Sequence, residues 1–318
     1  MNSNAVTRDI VGSMLENLDQ PASLGEGGDV VAASGEKGRS LWQDAWSRLL
    51  KNKMATAGMI YLIIVAVMAV LAPWIAPFSY EETDLALGAV PPDTLHLFGT
   101  DDLGRDLFSR ILYGGRVSLM VGILSTFVSV TIGVVYGAIS GYAGGRVDNV
   151  MMRIVEILYA LPFTFFVIIL MVLVGRNIYV LFLALGAISW LTMARIVRGQ
   201  VVSLRRSDFV EAAEATGVTR ARIILRHIIP NTLGPVIVFV TLTIPQVMLE
   251  EAFLSFLGLG VQEPMSSWGT LISSGVSAME TYPWMLVFPC LTLVSTLFAL
   301  NFLGDGLRDA LDPKASKD

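Results

Sequence analysis

The chain has 318 residues, of which 54% are hydrophobic and 15% charged, with a formal net charge of −5 and a mean hydropathy of +0.65. Soluble domains carry about 25% charged residues, so a chain this poor in charge is either a very large core or a membrane protein, which the distribution of charge decides, and the acidic balance argues against nucleic-acid binding. The single cysteine, Cys290, excludes a disulfide framework within the chain and reads as a small buried hydrophobe.

Residues 1–39 contain no apolar run of the kind a secretory signal needs. They are rich in Gly, Ser, Ala and Asp, and are expected to form a mobile cytoplasmic tail. Residues 40–52 predict the first ordered element. Ser40 and Gln43 fit a capping box, and Trp42, Ala45, Trp46, Leu49 and Leu50 recur at helical spacing, with Asp44, Arg48 and Lys51 on other faces. That pattern is an amphipathic helix lying in the membrane interface.

Six charge-free stretches follow, at 54–76, 117–145, 157–175, 177–194, 232–249 and 281–304, each of 18 or more residues. A helix needs about 20 apolar residues to cross the hydrocarbon core, and in lipid it must satisfy its own backbone. The chain is therefore expected to be an all-α integral membrane protein with six transmembrane helices over a domain at 53–312, followed by a short cytoplasmic tail at 313–318. Eighteen of the 22 Lys and Arg fall on one side of these spans, and only Arg105, Arg110, Arg116 and Arg176 on the other. Both termini are then cytoplasmic.

The outer loop, about 78–113, is acidic and turn-rich and contains FGTDDLGRD at 98–106. Asp101, Asp102 and Asp106 do not match the longer spacing of a calcium loop, whereas a capped turn with Arg105 paired to an acid fits. Gly133, Gly137 and Gly141 in the second span predict close helix packing. Arg153 and Glu156 have the spacing of a local ion pair, and Pro162, Pro245 and Pro289 are expected to bend their spans.

A charged segment, Asp208–Asn231, interrupts the apolar pattern within a loop at about 198–231. Asp208 and Glu211 fit a capping box; Phe209, Ala212, Ala213 and Thr216 share a face; Gly217 stops the helix. Thr219 can cap a second helix at 220–229, which Pro230 ends. Periodicity fits two readings equally well: a docking surface for a soluble partner, or an ordinary positive-inside loop that is helical. Further on, 252–262 is charge-free but too short to cross, and is expected to be re-entrant or interfacial near the outer face.

Catalysis finds no support. His96 and His227 are the only histidines and are predicted on opposite sides, out of reach of a nucleophile within a span or of a shared metal. Glu250 and Glu251 are the acids on a span away from its cytoplasmic end. They read either as solvated carboxylates at the outer interface or as a lining of an outer cavity. No inverted repeat is visible, which weighs against a secondary transporter or channel.

The ordering of Glu211, Ala212, Ala213 and Gly217, followed by His227, Pro230 and Asn231, resembles the cytoplasmic signature of permease subunits of bacterial ABC importers. SLWQDAWSRLLKNKMA at 40–55, FGTDDLGRDLFSRILYGGR at 98–116, MARIVRGQ at 193–200, FLSFLGLGVQEPMSSWG at 253–269 and NFLGDGLRDALDPK at 301–314 extend the resemblance over residues 40–314, to the C-type membrane subunit of oligopeptide permeases. The resemblance implies a type I importer permease fold, with an interfacial N-terminal helix and a coupling helix in the 198–231 loop. It implies a sister permease subunit, two cytoplasmic ATPases, an extracytoplasmic peptide-binding protein, lipid around the spans of a bacterial inner membrane, and a peptide load. Dipeptides, nickel or another small solute are the alternative loads of that branch. The chain lacks a G-x-x-x-x-G-K-[ST] stretch, so ATP and Mg would be held by partners, with no cofactor or catalytic residue in this chain. Glu211, Ala212, Ala213, Gly217, His227, Pro230 and Asn231 would couple to the ATPases.

Overall fold

The computed structural model describes residues 41–312, and every regular element among them is helical. The tails expected at 1–39 and 313–318, and the Ser40 cap, lie outside the described residues. Helix α1 (Leu41–Lys51) is the amphipathic element. Its Ala45 and Leu49 are buried against Ala55 and Ala310, beside Leu303, Leu307 and Leu311, while Trp46 and Leu50 stay exposed. Its apolar stripe thus divides between the end of the last helix and an open edge.

Asn52 then caps α2 (Lys53–Ile75), accepting the Met54 and Ala55 N–H groups at 3.1 and 3.2 Å. The chain continues through α3 (Leu107–Ala143), α4 (Gly145–Ala160), α5 (Phe163–Val174), α6 (Ile178–Leu204), α7 (Asp208–Ala215), α8 (Arg220–Ile223), α9 (Ile229–Phe256), α10 (Trp268–Ala278) and α11 (Trp284–Leu311). Five helical stretches are long and apolar enough to cross a membrane: α2, α3, α6, 220–256 and α11. The sixth expected span is broken. The α4–α5 pair bends through 83° at Leu161–Pro162, so this pair is one bent span or a re-entrant turn. Pro162 supplies the reason: it cannot donate to the ladder and disfavours helical geometry at Leu161. Pro245 and Pro289 remain inside continuous helices.

Several spans run past their charge-free cores. Helix α3 starts ten residues before Val117 because Asp106 caps it, accepting the Ser109 N–H at 2.7 Å, so the outer loop closes at Asp106 rather than near Tyr113. Helix α6 carries Arg195 and Arg198 within it. Residues 252–256 prove to be the end of a span rather than part of a separate segment. The helix simply continues to Phe256, turns at Gly258 (φ 74°), and after an irregular stretch leads into α10, whose Ser267–Thr270 capping box and buried Trp268 fix its start.

Helices α3 and α6 form the central pair. Gly133, Gly137 and Gly141 lie against Met193, Ala194, Val197 and Val201, and Gly186 on α6 meets Val128 in return. The expected packing role of these glycines is the observed one. One apolar cluster, including Val121, Leu181, Leu185 and Val247, fills one end of the pair; another, including Tyr142, Val197, Val201 and Val236, fills the other. Large apolar side chains such as Trp74, Phe127, Phe165 and Leu173 are exposed outside these clusters, as a lipid-facing surface requires.

Candidate functional site

The segment after α6 is built onto the second of those clusters. Ser207, not Asp208, is the N-cap of α7, and its hydroxyl donates back to the Leu204 carbonyl at 2.5 Å, so the expected Asp208–Glu211 capping box does not form. Asp208 and Glu211 instead occupy the first helical turn, where the helix dipole favours acids. The helix ends as Gly217 predicts. With φ at 77°, its N–H donates to the Glu214 carbonyl at 3.0 Å and that of Val218 to Ala213 at 3.1 Å, the paired bonds of a Schellman ending.

The two faces of α7 are not as periodicity assigned them. Val210 and Ala213 point inward, joining Tyr142, Val201, Ile223 and Ile228. Ala213 therefore leaves the expected face, whose other members Phe209, Ala212 and Thr216 are exposed together with Glu211 and Ala215. A hydrogen bond from the Tyr142 hydroxyl to Glu214 Oε1, at 2.7 Å, ties the helix to α3, and the Arg205 guanidinium lies over the same tyrosine ring. Glu214 carries no local signal for this role, because its partner is 72 residues away.

Thr219 holds the N-cap position of a single helical turn, α8, but its side chain makes no capping hydrogen bond; the turn passes into a wider one at Ile224–Ile228 and then directly into α9. The expected helix at 220–229 thus neither ends nor restarts at Pro230. Proline removes one N–H from the ladder, and the chain responds by slipping register: the Ile229 N–H reaches Ile224, and the Asn231 side-chain amide donates to the His227 carbonyl at 2.6 Å. His227 is half-buried within the wide turn; Pro230 and Asn231 are exposed in the first turn of α9. The arrangement makes α7 a short rigid arm fixed between the last turn of α6 and the first of α9.

At the other end, Asp101 organises the FGTDDLGRD loop. Its Oδ1 accepts the Leu103 and Arg105 N–H groups, each at 2.9 Å, and its Oδ2 accepts Arg105 Nε at 2.7 Å and also Arg110 Nη1. Arg105 reaches on to Glu263 at 3.0 Å. Burial acts to lower the Arg105 pKa, and the hydrogen bonds and charges of Asp101 and Glu263 outweigh it and leave it raised. The expected acid–arginine turn is present, extended to a second arginine and to the loop before α10.

Glu250 and Glu251 separate. Glu251 is only 1% exposed and is held by the hydroxyls of Ser255, Ser267 and Ser118 at 2.8, 2.7 and 3.4 Å. It is neither a solvated carboxylate nor a cavity lining, because the chain folds α10 and its Ser267 cap over it. Glu250 is half-buried and takes the Gln246 amide at 3.1 Å. Sequence reading also missed Asp148, which α4 brings to Arg198 of α6 and Ser140 of α3.

The family model of the binding-protein-dependent transport system inner membrane component matches residues 133–317, and that of the N-terminal TM domain of oligopeptide transport permease C matches residues 40–92. The oligopeptide transport system permease protein OppC of Haemophilus influenzae is 57% identical over 280 residues, covering 87% of this chain and 90% of that protein. The OppC protein of Bacillus subtilis is 44% identical over 302 residues, covering 95% and 98%. The dipeptide transport system permease protein DppC of Bacillus subtilis is 47% identical, covering 86% of each chain. Among solved structures, an inward-facing MetNI methionine ABC transporter shares the fold, with a TM-score of 0.52 at 18% identity, covering 65% of this chain and 96% of that one.

Proposed function

The chain belongs to the family of binding-protein-dependent transport system inner membrane components, and from that premise we propose that it forms half of the translocation pathway of an ATP-driven oligopeptide importer. It works in the bacterial inner membrane with both termini cytoplasmic. A sister permease subunit completes the path, two cytoplasmic ATPases supply ATP and Mg chemistry, and an extracytoplasmic binding protein delivers the peptide. The names of its relatives support a peptide load. Glu250, with its polar neighbour Gln246, is the acid on α9 that remains available to the path.

The observation that carries the coupling role is the anchored arm α7. Val210 and Ala213 are buried in the bundle and Glu214 is bonded to Tyr142, so a push on the outer face moves the ends of α6 and α9 together. A loop serving only charge balance has no need of a buried face. An ATPase closing on ATP would push on Phe209, Glu211 and Ala212, while the Gly217 turn and the His227–Asn231 junction pass the motion to α9. Nothing in this step asks the chain itself to bind nucleotide.

The test is Glu211→Lys in the assembled transporter. Its side chain is exposed and makes no ion pair among the described residues, so the change spares the fold. Uptake of peptide is expected to fall about tenfold or more, the scale of a typical coupling free energy, while the chain stays in the membrane and ATP hydrolysis continues. Glu211→Gln, which removes charge without reversing it, should lose less. Wild-type uptake by Glu211→Lys would count against the coupling role.

A further inference from the structure

A groove of about 800 Å³ lies between α4 and α6, lined by Asn149, Arg153 and Glu156 from the first and Arg195 and Arg198 from the second. That is within the range of sites that hold small molecules, about 300–1,000 Å³. Two of its arginines are already satisfied. Arg198 makes a paired contact with Asp148, Nε to Oδ1 and Nη2 to Oδ2, both at 2.6 Å. Arg153 lies 2.9 Å from Glu156. Arg195 is different: its guanidinium sits 4.2 Å from the centre of the Tyr159 ring, and it has neither a carboxylate within ion-pair distance nor a hydrogen bond among the described residues. Stacking occupies the face of a guanidinium and leaves its in-plane N–H fork free, in the geometry that takes a carboxylate with two bonds.

Resting on the reading of the chain as a peptide permease, we propose that this groove is a wall of the translocation path and that Arg195 receives the C-terminal carboxylate of the passing peptide. The lining favours a peptide over a lipid phosphate because it has both signs. Asn149 offers a donor and an acceptor to a peptide backbone, and with Glu156 paired to Arg153 the one free cation of the lining among the described residues matches the single carboxylate at a peptide's end. Tyr159, which holds Arg195 in place, stands just before the Leu161–Pro162 break where α4 and α5 bend through 83°. Arg195 itself lies in the second half of α6, nine residues before its end at Leu204, towards α7. The contact is therefore placed where movement of α7 reaches the path.

The test uses the assembled transporter in inverted membrane vesicles. In a Cys290→Ser background, a Val150→Cys reporter on the groove wall is treated with an anionic or a cationic methanethiosulfonate, and modification of residue 150 is followed by mass spectrometry. The anionic reagent should react about tenfold faster, as a basic cleft concentrates anions. Millimolar tri-alanine should slow the labelling, and tri-alanine amide, which lacks the carboxylate, should not. Arg195→Gln should abolish both the preference and the protection, and Arg195→Lys should keep the preference but lose most of the protection. A preference without protection by tri-alanine overturns the proposal. Failure of either reagent to reach residue 150 overturns it too, since another subunit then covers the groove. Uptake of tri-alanine by cells carrying only Cys290→Ser is measured in parallel. The same uptake is measured in cells lacking the chain: equal uptake with and without it counts against the permease reading, whereas uptake that depends on the chain together with an unprotected groove counts against this inference alone.

Discussion

Asp101→Ala is expected to destabilise the folded chain by about 3–5 kcal/mol, the range found when one partner of a buried ion pair is removed. Asp101 is 2% exposed, and it serves two arginines, Arg105 and Arg110, that are themselves buried. Without it, two guanidiniums would face each other with only the largely exposed Glu263 for compensation. The Leu103 and Arg105 N–H groups would lose their acceptor as well. The measurement is the unfolding midpoint of the purified protein in mild detergent, followed by tryptophan fluorescence. Asp101→Asn, which can still accept from the backbone but carries no charge, should fall between. Adding Arg110→Leu to Asp101→Ala should recover part of the loss, because it removes a stranded cation. An Asp101→Ala protein that melts with the wild type would refute the assigned role.

Gly137→Val should produce the second large effect, by separating α3 from α6. A side chain at this position would fall on the Ala194 carbonyl oxygen and on Val197. Backbone cannot give way as a flexible side chain can, so the helices must move apart along the seam that Gly133 and Gly141 share. Overpacking of this kind costs about 1–3 kcal/mol and sometimes more. In lipid, helix association rests on close contact rather than on a hydrophobic driving force, so the loss is not recovered elsewhere. Gly199 provides the control. It sits on the same helix α6 with open space where a side chain would go, and Gly199→Ala should leave the midpoint unchanged or raise it slightly, since alanine favours the helix. Equal melting of Gly137→Val and wild type would show that the seam does not hold the pair together.

Near the spans, the amino-acid pattern reveals the helices but not their ends. A charge-free stretch marks what hydrocarbon tolerates, and lipid imposes that rule on composition alone. The helices then continue as far as their polar residues find partners. Arg198 extends α6 because Asp148 waits on α4, and α3 begins early because Asp106 caps it. Helix α10 escapes a periodicity search for a related reason: it is short, built of small residues, and fixed by a buried tryptophan and a Ser267–Thr270 cap. The Ser-x-x-Thr spacing was the local clue.

The α7 segment divides in the same way. Its helix, its glycine stop and its placement outside the apolar spans follow from local chemistry, since Gly217 alone adopts a φ of 77° at little cost. Which face it buries does not. Phe209, Ala212 and Ala213 fall close together on a helical wheel, yet Ala213 turns inward beside Val210 because the bundle offers Tyr142, Val201 and Ile228 there.

The sequence by itself determined a helical membrane protein, the number of apolar segments and the short arm between two of them, because these depend on the preferences of single residues for lipid, water and backbone conformation. Only the tertiary structure decided the fate of charges whose partners are distant in the chain: that Glu251 is sealed beneath three serines, that Asp148 and Glu214 are anchors, and that Arg195 has no acid among the described residues. Those outcomes depend on groups tens of residues apart meeting in space, and the energy of a charge is set by its neighbours rather than by its own place in the chain.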